Sequence, residues 1–124
     1  MSRLKKVFIL LIFLSDCFSV SHIIAQQADI DDMFAEFNAL YTSGDFIGAE
    51  KCILPLLDLK KKVPGKYLAA AYNNLGIIKM ILGFYTEALD YFNKAENLTP
   101  NIKKNYTVLA TIYNNKSRVY TFRR

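Results

Sequence analysis

Residues 70–100 read Ala70-Ala-Tyr-Asn-Asn-Leu-Gly-Ile-Ile-Lys-Met-Ile-Leu-Gly-Phe-Tyr-Thr-Glu-Ala-Leu-Asp-Tyr-Phe-Asn-Lys-Ala-Glu-Asn-Leu-Thr-Pro100. Two helical periods lie in this stretch. Tyr72, Leu75, Lys79 and Leu82 share one stripe, and Ala88, Leu89, Phe92 and Ala95 share the next. Gly83 stands where the first period stops and Pro100 where the second must. Small residues at Gly76, Ala88 and Ala95 let two antiparallel helices approach closely, with Tyr72, Leu75, Leu89 and Phe92 filling the space between them. The pattern predicts a helix hairpin.

The same residues resemble a tetratricopeptide repeat. That family places a large aromatic and Leu-Gly on helix A, then Ala, an aromatic, Ala and a closing Pro around helix B. Tyr72, Leu75, Gly76, Ala88, Phe92, Ala95 and Pro100 stand at the family spacing. Lys79 departs from it, occupying a position where the family prefers Tyr, so that part of the packing is expected to be partly solvated. The resemblance implies an all-α fold, a short helix-turn-helix solenoid of about two and a half repeats, and the layout of residues 1–25 places an N-terminal signal sequence before it. Residues 69–102 form the well-matched repeat, residues 26–68 a degenerate one before it, and residues 103–124 a partial third.

Upstream, Asp29, Asp31 and Asp32 suit a helix start, where carboxylates meet the positive end of the helix dipole. Met33, Phe34, Phe37, Leu40 and Tyr41 continue as a helical stripe. Ser43-Gly44-Asp45 breaks it, and a second helical run extends from Phe46 to Lys62. Gly44, Phe46 and Ala49 precede Gly83, Tyr85 and Ala88 by 39 residues. The family period is about 34, so the excess is expected near Lys60–Gly65. Pro55 lies inside the second run and predicts a kink, because it removes a backbone donor and clashes with the preceding turn.

Downstream, Tyr106, Leu109, Ala110 and Tyr113 follow Tyr72, Leu75, Gly76 and Lys79 by 34 residues. From there to Arg124 there is room for helix A and a turn, without a complete helix B. The apolar residues Leu109, Ile112, Val119 and Phe122 are then expected on an uncapped face, suited to self-association into a homo-oligomer. Alternatively the last helix is a lid with one face bare, or the sequence is a truncated form of a longer repeat protein.

At the other end, Met1–Lys6 is basic, Val7–Leu14 is unbroken apolar sequence, and Ser15–Ala25 is mixed. This is the layout of a signal peptide over residues 1–25, with cleavage expected after Ala25. Asp16, Ser15, Ser19, Ser21 and His22 interrupt what would otherwise approach the roughly 20 apolar residues of a membrane span. An uncleaved anchor over residues 7–25 is the alternative, and a lipid-modified Cys17 a third. The protein is therefore expected to be exported (periplasm, envelope or extracellular), with membrane association only if this segment is retained.

The chain carries a net +5 over 124 residues, unevenly. Residues 26–96 sum to −3, whereas residues 97–124 hold six basic residues and no acid. An acidic body with a basic tail fits an anionic partner or a solvated helix face. Beyond the leader there is no histidine and one cysteine, Cys52, which is read as a buried small hydrophobe. No Ser-His or Cys-His pair, imidazole metal site, Gly-rich phosphate loop or paired-carboxylate constellation can be assembled, so neither enzyme chemistry nor a cofactor is expected. Three glycosylation triplets, at Asn97, Asn105 and Asn115, are too short to carry weight. Stacking of Tyr106, Tyr113, Tyr120 and Phe122 on single-stranded nucleic acid is set aside, because Tyr106 and Tyr113 have packing duties at repeat positions. Lys60–Lys62 and Lys66 read as a cationic helix end.

What the resemblance implies about function is binding of a peptide or protein partner along the concave face of the A helices. The groove positions fall on Asn73, Asn74, Ile77 and Met80, and on Thr107, Thr111 and Asn114. Asn73 and Asn74 stand out, because an amide both donates and accepts hydrogen bonds and can hold an extended backbone. The basic residues that some relatives use to clamp a C-terminal carboxylate are not reproduced. A membrane-anchored sensory or adaptor fragment of a larger signalling protein is the alternative.

Overall fold

A computed structural model describes residues 26–59, 62–100 and 104–124. The leader expected over residues 1–25, with its cleavage point, lies outside them, as do Lys60 and Lys61. Of the described residues, 26–34 fall in one unit and those from Ala35 to Arg124 in another. All regular structure among the described residues is helical. Helix α1 passes through residues 26–43, and the second unit holds its latter part. There follow α2 (Phe46–Ile53), α3 (Pro55–Asp58), α4 (Gly65–Ile81), α5 (Tyr85–Asn97) and α6 (Tyr106–Phe122).

The two turns that separate paired helices are built alike. Gly44 and Gly83 both take φ +83°, a left-handed conformation that costs an L side chain about 1–2 kcal/mol. Around each, the chain closes with the same pair of bonds. The Gly83 N–H donates to the Met80 carbonyl at 3.1 Å and the Phe84 N–H to the Lys79 carbonyl at 2.8 Å. Gly44 to Tyr41 at 3.1 Å and Asp45 to Leu40 at 3.0 Å repeat the arrangement. This is the Schellman closure, which satisfies carbonyls orphaned at a helix end. Ala49 and Ala88 then occupy equivalent, fully buried places on the following helices.

The second helix of the first hairpin does not run through to Lys62. It breaks at Leu54, where Pro55 opens the short α3, and helix ends at Asp58. The break is gentle, since Leu54 keeps helical dihedrals of −54° and −42°. Pro55 has no N–H to donate to the carbonyl four residues back, as expected of proline inside a helix. The excess length of this repeat goes partly into the connection after Asp58. The rest goes into a first turn of α4, which begins at Gly65, ahead of Ala69.

Packing is densest between α4 and α5. Phe92 is fully buried, and its ring lies where a side chain on Gly76 would have to go, 2.6 Å from an added Cβ. Ala88 and Ala95 flank it with no exposure. Met80, Ile112 and Val119 complete this cluster, so α6 closes the core over α5.

Two ionic contacts tie successive helices together. The Lys79 ammonium sits 2.8 Å from Glu50 on α2 and 3.2 Å from Glu87 on α5, with its side chain only 15% exposed. It also lies 5.3 Å from the centre of the Phe84 ring. The departure from the family's Tyr is thus a two-carboxylate clamp joining the two hairpins. The carboxylates, Glu50 first, hold the Lys79 pKa above its ordinary value.

The second contact centres on Glu96 of α5. One oxygen accepts from the Lys116 ammonium at 2.8 Å, the other from the Tyr113 hydroxyl at 2.7 Å. Lys116 above all, then Tyr113, lowers the Glu96 pKa, and the same carboxylate raises that of the Tyr113 phenol. A depressed folded-state pKa means a stabilisation present above the ordinary glutamate range and lost as pH falls through the folded value. Glu96→Gln is therefore expected to cost about 1 kcal/mol at neutral pH. The gap to the parent should close under acid. Urea midpoints of both proteins at neutral and acidic pH check this; a gap independent of pH removes the linkage.

Candidate functional site

Between α4 and α6, which touch only lightly, lies a groove of about 220 Å³. Asn73 and Asn74 line it from α4 and Thr111 from α6, together with Lys66 and Val108, which the sequence reading did not select. Their presence follows from the extra first turn of α4 and from the register of α6. Asn73 is already engaged: its amide oxygen accepts from Asn115 at 3.0 Å, across the helix pair. Asn115 is almost wholly buried, so its triplet cannot serve as an accessible sugar acceptor in the folded chain. The Thr111 hydroxyl donates to the Thr107 carbonyl at 3.0 Å, leaving its oxygen to accept. Asn74 can both donate and accept. Lys66, whose ammonium stands 4.7 Å over the Tyr67 ring, supplies positive charge at the rim.

The remaining expected groove residues are placed otherwise. Met80 is buried in the core with Phe92, and Ile77 packs against that cluster. Neither lines the groove, because α4 is covered by α5 on that side. Thr107 and Asn114 are exposed on α6 but stand outside the groove. A larger, mostly apolar recess of about 370 Å³ opens on a different face of α4, between Leu68, Tyr72, Lys94 and Leu98. There Tyr72 stacks on Tyr91 at 6.1 Å between ring centres, with the Lys94 ammonium over both rings.

The expected self-association face also needs correction. Leu109, Ile112 and Val119 are buried within the chain, and only Phe122 of the four is exposed. The stripe that is bare is the tyrosine one: Tyr106 is 72% exposed, Tyr113 49% and Tyr120 55%. Tyr106 and Tyr113 thus lack the packing expected of them, since no described helix covers that side. Nor does a turn follow the helix A positions. The residue 34 after Gly83 is Ser117, which has no glycine's access to left-handed φ, and α6 continues to Phe122.

Among the described residues no three His, Cys, Asp or Glu side chains gather as a metal site, and no helix is long and apolar enough to cross a membrane. Cys52 is half-buried, and burial first, then the neighbouring Glu36, pushes its thiol pKa up, away from nucleophilic character.

The turn geometry, the Gly76–Phe92 contact and the paired small residues agree with the tetratricopeptide repeat, whose family model matches residues 69–102. Residues 69–102 are similar to a tetratricopeptide repeat. Tetratricopeptide repeats generally mediate protein–protein interaction and are typically non-catalytic. In this chain, the matched segment begins four residues into α4 and ends beyond α5, so it coincides with the densest packing in the chain. Comparison of the chain with curated proteins and with solved structures gives no match.

Proposed function

We propose that this protein is a non-catalytic binding module that holds an extended segment of a protein partner in the groove between α4 and α6. The observation that carries this reading is the convergence of Asn74, Asn73 and Thr111 on one cleft, with Lys66 at its rim. Amide and hydroxyl groups on both walls can pair with a peptide main chain, and Lys66 favours an acidic side chain beside it. The test is affinity capture from the native extract with the full chain and two groove variants, Asn74→Arg and Thr111→Arg. Loss of the same captured protein by both, with retention by a variant of the exposed Asp90 of α5, Asp90→Asn, supports the groove. Capture indifferent to both groove substitutions overturns it.

Export is part of the proposal, supported by the basic start, the apolar run Val7–Leu14 and the mixed stretch to Ala25. The unbroken apolar run favours a second reading, retention as a membrane anchor on an adaptor protein. N-terminal sequencing of the protein from its native source separates them: a start at Gln26 is expected, and an intact Met1 sinks cleavage.

A further inference from the structure

We infer that the outer face of α6 docks an acidic amphipathic helix of a partner protein, one that presents a small, bulky, small row of side chains. Tyr106, Ala110, Tyr113, Ser117 and Tyr120 recur at steps of four and three, so they form one stripe along the helix. No described helix covers it. The molecule itself shows how such a face is closed. On α4, 34 residues earlier, the matching stripe of Tyr72, Gly76 and Lys79 is covered by α5 through Ala88, Phe92 and Ala95.

Charge selects the occupant. Residues 104–124 contain no acid, and besides Lys116, which pairs with Glu96 at the edge of the stripe, they hold Lys104, Arg118, Arg123 and Arg124. The covering helix α5 is acidic, with Glu87, Asp90 and Glu96 against Lys94, a net −2. A docking helix of the same sign meets a complementary surface. A second copy laid face to face would set two basic helices together. Size narrows the occupant further. Ala110 replaces Gly76, and a Cβ at Gly76 lies 2.6 Å from the Phe92 ring, so the central bulky residue must be slimmer than phenylalanine, such as leucine.

The probe is a stapled, fluorescent peptide of residues 84–98 with Phe92→Leu, titrated into the full chain. Saturable binding is expected, weakening as salt is raised. Ala110→Arg and Tyr120→Ala, both at exposed positions, should each reduce affinity by about tenfold or more with unchanged helicity and melting. A peptide with Glu87→Gln, Asp90→Asn and Glu96→Gln should lose affinity similarly. No saturable binding at millimolar peptide overturns the inference. So does equal binding by Ala110→Arg, equal binding of the neutralised peptide, or displacement of the peptide by an oligothymidine strand. Sedimentation showing dimers abolished by Ala110→Arg, without peptide binding, assigns the face to a second copy instead and overturns it as well.

Discussion

Phe92→Ala is expected to destabilise the chain by about 3–5 kcal/mol, the range for removing a fully buried phenylalanine. Few substitutions should do more. Phe92 has no exposure and sits among Met80, Ala88, Ala95, Ile112 and Val119, so its ring touches α4, its own helix and α6 at once. Truncation leaves a cavity that Gly76 cannot fill, because it has no side chain to move into it. Small domains are stable by about 5–15 kcal/mol in total, so the variant should lie close to its folding limit. Urea denaturation followed by far-ultraviolet circular dichroism gives the loss directly, with Phe92→Leu as a milder companion. A loss for the alanine variant below about 1 kcal/mol is incompatible with a packed ring at this point.

The second large effect comes from the other side of the same contact. Gly76→Leu places a branched side chain where the Phe92 ring already lies, 2.6 Å from the new Cβ. Replacing glycine inside a helix gains up to about 1 kcal/mol in propensity, but overpacking a closed core costs about 1–3 kcal/mol, occasionally more. The overlap wins, because the group to be displaced is a fully buried aromatic ring. The two substitutions should also interact. With Phe92→Ala in place, the leucine at position 76 has a void to enter, so the double variant should recover part of the combined loss. A coupling of about 1–3 kcal/mol in the cycle is expected; simple additivity sinks the contact.

Most of the hairpin was legible because its determinants are local. Gly44 and Gly83 need left-handed backbone, Gly76 and Phe92 need each other, and Pro55 interrupts whatever helix it enters. The groove was legible only in part. Asn73, Asn74 and Thr111 line it, but Ile77 and Met80 belong to the core, because a central helix is covered on more than one side and its stripes merge. On α6 the sequence reading placed Leu109, Ile112 and Val119 on the bare face. Those residues point to neighbours already present, while Tyr106, Tyr113 and Tyr120 stay exposed. Apolar character tells which residues seek cover; only the packing partners tell which obtain it. The clamp on Lys79 joins groups far apart in sequence, Glu50 and Glu87, and no local pattern announces it.

The twin glycine turns have a kinetic consequence. Each joins its two helices through a link of a few residues, so the partners of the main core lie close along the chain and little loop entropy is lost in bringing them together. Low contact order of this sort favours rapid folding. The longer connections fall between hairpins, so a change of length there alters the arrival of the next pair of helices while the closure of each pair goes on undisturbed.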